Sequence, residues 1–187
     1  KGTGLWTVVS ALQMGASVPT IYAALNGRVM SSMKDQRVKA ESILKGPSMQ
    51  SFDMGTSADG MAPLMDAMVL ACMASYAQGM ELLRIASAEH NYNLNMPSIA
   101  QIWKGGCIIR ARLLKRIQDA FTTDPQLANL LIDPWFADQV NRRLPGLAKV
   151  VAGAAAAGIP VPCLSSTLDY INSYRTARLP QNLVQAM

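Results

Sequence analysis

The segment PLMDAMVLACMASYAQGMELLRIASA, residues 63–88, carries the strongest helical signal in the chain. Leu64, Ala67, Met68, Ala71, Cys72, Ser75, Gly79, Leu82 and Ala86 recur at helical spacing, which places them on one face. Many of these side chains are small. Small side chains let a neighbouring helix come close, so the segment is expected at the centre of a helical domain.

Outward from it, Gly and Pro punctuate further helical stretches. Leu5, Val8, Val9 and Leu12 repeat at helical spacing until Gly15 supplies a stop. Pro19 fits a first helical position, with Ile21, Ala24, Leu25 and Arg28 following in register. Residues 34–44 read as a charged surface helix closed by Gly46-Pro47, and residues 48–60 as a long loop. Downstream, a polar turn at 91–95 leads into a short helix through Ile99 and Trp103. Gly105-Gly106 interrupts that helix as a site of close backbone packing. Residues 107–121 are expected to continue it, with Ile109, Leu113 and Ile117 on one face and Arg112, Lys115 and Arg116 on another.

Asp124-Pro125 and Asp133-Pro134 each set a carboxylate before a proline and so predict two helix starts. Residues 147–157 predict an Ala-rich helix ended by Gly158, and Ile159-Pro160-Val161-Pro162 an extended link. Ser165 or Ser166 is expected to cap a last helix through Leu168, Ile171 and Tyr174, and the chain stops inside a helix at 181–187. No strand pattern stands out. The expectation is roughly eight to ten helices in one all-α domain, residues 1–187.

Composition bounds the function. The chain has 187 residues, 50% hydrophobic, 16% charged and 6% aromatic, which suits one sizeable core and excludes a disordered segment. No stretch reaches the roughly 20 apolar residues of a membrane span, so no membrane partner is expected. Lys+Arg outnumber Asp+Glu by 17 to 12, a net charge of +5 that favours anionic partners in general. Because aromatic residues are not interleaved with the basic ones, nucleic acid is not expected among them. Cys72, Cys107 and Cys163 read as reduced, buried thiols of a cytoplasmic protein. With neither a start methionine nor an apolar signal region, the chain is expected to be a piece of something longer.

The catalytic inventory is thin. His90 is the single histidine and lies in a polar turn, which excludes a multi-histidine metal site, and no cysteines have ligand spacing. No Gly-x-Gly-x-x-Gly follows a strand pattern, so no dinucleotide fold is read here. Asp66, Glu81 and Asp169 stand as isolated carboxylates. Anion binding remains. Lys1-Gly2-Thr3-Gly4 sets an ammonium, a hydroxyl and unhindered N–H groups before a helix, a pattern that is either a flexible turn or an anion cradle. Arg28, on an apolar-looking helix, must either meet an anion or reach out to solvent.

Read in order, several blocks carry a resemblance: Lys1-Gly2-Thr3-Gly4-Leu5-Trp6-Thr7, Arg28 with residues 31–37, Ser75-Tyr76-Ala77-Gln78-Gly79-Met80 and residues 102–110 (IWKGGCIIR). Asn129-Leu130-Leu131, Gly158-Ile159-Pro160-Val161-Pro162 and residues 174–183 follow in the same order. Over essentially its whole length the chain resembles the all-helical C-terminal domain of 6-phosphogluconate dehydrogenase.

The resemblance implies NADP-dependent oxidative decarboxylation of 6-phosphogluconate to ribulose 5-phosphate and CO2 in the pentose phosphate pathway, without a metal. It further implies a homodimer whose interface this domain supplies, and a cytoplasmic enzyme. The cofactor-binding Rossmann domain and the catalytic base and acid lie upstream of Lys1 in such an enzyme, and a C-terminal tail lies beyond Met187. No catalytic residue is therefore expected here, and the chain alone is expected to be inactive. Lys1 and Arg28 match the family's ligands for the substrate's 6-phosphate, and Thr3 adds a hydroxyl. Leu5 and Lys104 depart from the basic residue and the arginine usual at those places, so neither is carried over as a ligand. The alternative is a non-enzymatic helical dimerisation module built on residues 63–88.

Overall fold

The computed structural model describes residues 2–47, 58–181 and Met187. Among them are eight α-helices, one short 3₁₀ helix and no strand, as an all-α reading requires. The helices are α1 (Thr3–Gln13), α2 (Pro19–Ser32), α3 (Lys34–Ile43), α4 (Ala58–Glu89), α5 (Met96–Ile102), α6 (Leu113–Thr123), α7 (Pro134–Ala156) and α8 (Pro162–Tyr174). The 3₁₀ turn Leu130–Ile132 precedes α7.

Helix α4 is the spine. It packs along α7 and more lightly against α8 and α2, while α2 leans chiefly on α8 and α5 on α6. The main core gathers Leu70, Met73 and Met80 of α4, Leu114 and Ile117 of α6, Phe136 and Leu147 of α7, and Tyr170 and Ile171 of α8. A smaller cluster of Ala11, Ala16, Val18 and Leu82 seats the α1–α2 turn on the later part of α4. Where α4 and α7 cross, a Cβ on Gly146 would meet Asp66 Cβ at 2.8 Å and the Pro63 backbone at 3.2 Å. The two helices therefore touch through a glycine. Beside it, Arg143 Nη1 pairs with Asp66 Oδ1 at 2.5 Å.

Local signals placed several ends correctly. Pro19 opens α2 and Pro134 opens α7, where the Asp133 carboxylate accepts from the N–H groups of Trp135 and Phe136. Helices α1 and α7 end on the same device. Gly15 and Gly158 adopt φ of 65° and 69°, and the next residue's N–H returns to a carbonyl five back: Ala16 to Ala11, Ile159 to Ala154. Gly158 also meets the Pro47 carbonyl so closely that a Cβ would lie 2.6 Å from its oxygen.

Other expectations are corrected. Asp124-Pro125 starts no helix; the Asp124 side chain instead accepts from Gln126 N–H in a local turn. Residues 103–112 are turns rather than helix, so Ile109 lies on no helical face, and α6 starts only at Leu113. Nothing approaches within 4 Å of a Cβ placed on Gly105 or Gly106, so the pair is not a close-packing site. A φ of 64° is what requires glycine at 106. Helix α7 is one helix through Pro145, not one that begins at Leu147. Helix α8 begins at Pro162, ahead of both serines expected to cap it. The loop expected at 48–60 falls outside the described residues up to position 57, and its last three positions already belong to α4. The helix expected at 181–187 lies outside them at 182–186.

The face read as the centre of the domain is also corrected. Ala67 and Leu82 are buried, but the fully buried side chains of α4 include Leu70, Met73, Ala74, Ala77 and Gln78, which lie on another face. Ala71, Ser75 and Gly79 line an open groove instead.

Candidate functional site

Helix α2 carries Arg28, and its placement starts with an amide. The first N–H groups of any helix lack intrahelical acceptors. Val18, before α2, supplies no side-chain cap. Gln78, fully buried on α4, takes that role from across the interface. Its Oε1 accepts from Thr20 N–H at 3.1 Å and Ile21 N–H at 3.4 Å, and its Nε2 donates to Thr20 Oγ1 at 3.0 Å. The Thr20 hydroxyl also meets the Thr167 hydroxyl of α8 at 3.2 Å, and that hydroxyl donates to the Cys163 carbonyl. Three helices are pinned by one satisfied polar cluster. Spacing does not mark Gln78, although a lone amide within an apolar helical run is the signal that finds it.

Nine residues beyond Pro19, Arg28 is exposed and has no hydrogen-bond or ion-pair partner among the described residues. Its guanidinium is uncommitted, so both readings, an anion ligand and a solvated residue, stay open. Lys1 lies outside the described residues. Gly2 precedes α1, and its carbonyl accepts from Leu5 and Trp6 N–H at 3.1 and 3.3 Å. Thr3 is the first residue of α1 and is exposed; its carbonyl accepts from the Thr7 hydroxyl. The N–H groups of Thr3 and Gly4 find no acceptor among the described residues, as an anion cradle at a helix start would need.

Thr3 borders a groove of about 880 Å³ along the small-residue face of α4, which Arg28 does not line. Its walls are mostly apolar and include Ala71, Ser75, Tyr76 and Gly79 of α4 with Trp103 and Ile109. The Tyr76 hydroxyl donates to the Ile109 carbonyl and so holds the turn after α5 against α4. Burial pushes the Tyr76 phenol above its ordinary range, and the nearby thiols of Cys72 and Cys107 push the same way. The cysteines are free but not buried as expected: Cys72 is exposed, and Cys107 and Cys163 are half-buried.

Two of the three carboxylates read as isolated have partners. Asp66 holds Arg143. Glu81 Oε2 accepts from Asn129 Nδ2 at 2.9 Å and from the Tyr170 hydroxyl at 3.4 Å. Asn129 Nδ2 also donates to Tyr170 at 2.7 Å, and Asn129 Oδ1 accepts from Leu131 N–H, so the 3₁₀ turn, α4 and α8 are tied together. Burial is the main cause that raises the Tyr170 phenol far above its ordinary value, and the Glu81 charge adds to it. Among the basic residues, Lys104 Nζ donates to Gln101 and Gln118, Lys115 pairs with Asp119, and Arg116 lies 5.1 Å over the Trp135 ring. His90 is exposed beside Tyr92. No group of three or more His, Cys, Asp or Glu side chains that could hold a metal occurs among the described residues, and no described helix is long and apolar enough to cross a membrane.

An all-helical domain with an exposed, uncommitted arginine and a glycine-rich helix start is the class of architecture defined by these residues. The family model for "6-phosphogluconate dehydrogenase, C-terminal domain" matches residues 1–187. The decarboxylating 6-phosphogluconate dehydrogenase of Synechococcus elongatus is 50% identical over 186 residues, covering 100% of this chain and 39% of the relative. That of Escherichia coli K12 is 45% identical, with the same coverage. A solved structure of Plasmodium falciparum 6-phosphogluconate dehydrogenase, described in its apo form and with its cofactor NADP+ and its substrate 6-phosphogluconate, superposes with a TM-score of 0.87 at 40% identity. It covers all of this chain and 40% of that one. The chain belongs to the 6-phosphogluconate dehydrogenase family and spans about two fifths of the length of these relatives.

Proposed function

We propose that residues 1–187 form the helical substrate-binding and dimerisation domain of a cytoplasmic, NADP-dependent, decarboxylating 6-phosphogluconate dehydrogenase. In this reading Lys1, Arg28 and Thr3 hold the phosphate of 6-phosphogluconate. The uncommitted Arg28 guanidinium on a helix pinned by Gln78 carries the assignment. A guanidinium offers a planar fork to phosphate oxygens, an ammonium a point charge, and the N–H groups of Thr3 and Gly4 add unhindered donors. The described residues contain no strand and so no strand–glycine loop–helix cradle; they do not fit a dinucleotide, and the cofactor belongs to another part of the enzyme. The carbon dioxide-releasing chemistry likewise needs an acid and a base that this reading places outside the chain.

The test is kinetic and uses the full-length enzyme. Each charge-assisted contact to phosphate contributes on the order of 1.5–3 kcal/mol, so Arg28→Ala should raise KM for 6-phosphogluconate by about one decade or more. The KM for NADP should stay put. An unchanged KM for 6-phosphogluconate would sink the assignment. The 187-residue chain alone should give no NADPH from 6-phosphogluconate. Sedimentation of the full-length protein should show a dimer; a monomer would remove the interface role.

A further inference from the structure

We propose that Arg37 is a positioning residue for 6-phosphogluconate: it fixes the last turn of α2, which directly follows Arg28. The inference rests on the reading of Arg28 as a phosphate ligand. Helix ends fray because their last carbonyls have no intrahelical partners. The end of α2 is especially exposed to this, since Met33 (φ −90°, ψ 41°) flanks both α2 and α3 and leaves no loop to cover it. Three of its last four carbonyls are nevertheless taken. Ser32 Oγ donates to the Val29 carbonyl at 2.7 Å, and Met33 N–H to that of Met30 at 3.2 Å. Arg37, reaching back from the first turn of α3, donates through Nε to the Met30 carbonyl at 3.0 Å and through Nη2 to the Ser31 carbonyl at 3.2 Å.

Arg37 has no carboxylate partner among the described residues, so its charge is spent on the negative end of α2. The rigid fork suits this task, because its N–H groups are held in fixed directions that match two successive carbonyls, whereas an ammonium's donors rotate freely. Arg28 stands two and three residues before those carbonyls and has no side-chain partner of its own. Only the backbone of this turn sets where its guanidinium waits. Losing the Arg37 bonds would let the turn fray, and phosphate binding would then have to order it again.

The experiment compares Arg37→Ala, Arg37→Lys, Arg28→Ala and the Arg28→Ala/Arg37→Ala double variant in the full-length enzyme, reading kcat and the KM for each substrate. Residues coupled through a shared stretch of backbone interact by amounts that correspond here to a rise of about 3- to 10-fold in KM for 6-phosphogluconate in Arg37→Ala. Arg37→Lys should fall between it and the parent, and it carries the test if the alanine variant does not fold. The KM for NADP and kcat should move less than about two-fold, as loss of binding without loss of chemistry requires. In the Arg28→Ala background, Arg37→Ala should add nothing. A full additional effect there, or an unchanged KM in both single Arg37 variants, overturns the positioning role while leaving Arg28 as a ligand. An unchanged KM in Arg28→Ala overturns both.

Discussion

The body built from α4, α7 and α8 and the arm built from α1 to α3 use apolar residues to different ends. In the body, Leu70, Met73, Phe136 and Leu147 are no more than 1% exposed, although Met65 and Met68 near the start of α4 are more than half exposed. In the arm, Trp6, Leu12, Val29 and Val38 are each more than half exposed, and α3 buries no residue fully. Polar groups divide the other way. The body pairs Asp66 with Arg143 and Glu81 with Asn129, leaving only the buried Arg84 Nε without a partner among the described residues, while the arm leaves the exposed Arg28 uncommitted. Apolar residues with matched polar pairs mark the part that holds the fold. Exposed apolar residues beside an unpaired charge are what a covering surface or an anion would use.

The sharpest way to break this comparison is to truncate the body. Phe136 is fully buried and lies edge-on to Trp135 with 5.1 Å between ring centroids. Phe136→Ala should lower unfolding free energy by about 3–5 kcal/mol, because the cavity adds to the lost transfer energy. Denaturant midpoints at unchanged m-value measure it. A loss under about 1 kcal/mol would mean the body yields as easily as the arm.

Next in size is the polar tie at Tyr170, which alkali should weaken. Its folded pKa is raised above the ordinary value of 10.0, chiefly by burial. The contribution of its neutral phenol is therefore fully present below pH 10 and is lost as pH rises from there, when the unfolded chain gives up the proton and the folded one keeps it. One such group costs about 1.4 kcal/mol per pH unit in that range. Tyr170→Phe should be less stable than the parent at pH 8, by about 1 kcal/mol for the lost hydrogen bonds, and should lose less as the pH climbs. Parallel slopes for the two proteins between pH 10 and 11 would show that another group controls the alkaline loss. Tyr76 and Tyr174, also raised by burial, push the alkaline slope in the same direction.

How much of this was legible in the sequence follows the same division. Helix ends written in neighbouring residues could be read: Pro19, Asp133 and Gly158 act through a dihedral angle or a side chain two or three positions away. Asp124 carries the same local signal as Asp133, yet its carboxylate closes a turn to Gln126 and no helix follows. The α4 faces were harder. Periodicity assigns residues to a face but not to a neighbour, so Ala71, Ser75 and Gly79 read as core although they border a groove. Gln78, the residue that anchors α2, is a tertiary cap and leaves no local motif. For the candidate site, charge and glycine content pointed to an anion at Lys1, Thr3 and Arg28 without choosing between a ligand and a solvated residue. Resemblance to a family supplied that choice, because spacing carries no information on what binds.

The smallest expected effect tests the arm directly. Trp6 is 68% exposed and Leu12 74% exposed on α1, whose buried residues are Val8 and Ala11. Truncating either to alanine leaves no cavity, so Trp6→Ala and Leu12→Ala should each change the stability of this chain by no more than about 0.5 kcal/mol. The same substitutions in the full-length enzyme sharpen the contrast. If the arm's apolar side is covered there, by a second subunit or by the rest of the polypeptide, Trp6→Ala should cost clearly more than in the 187-residue chain, because large aromatic side chains dominate the energy of contact surfaces. The difference between the two measurements isolates what the cover contributes, since the loss within the arm itself is common to both. Equal small losses in both would leave Trp6 solvated in the whole enzyme.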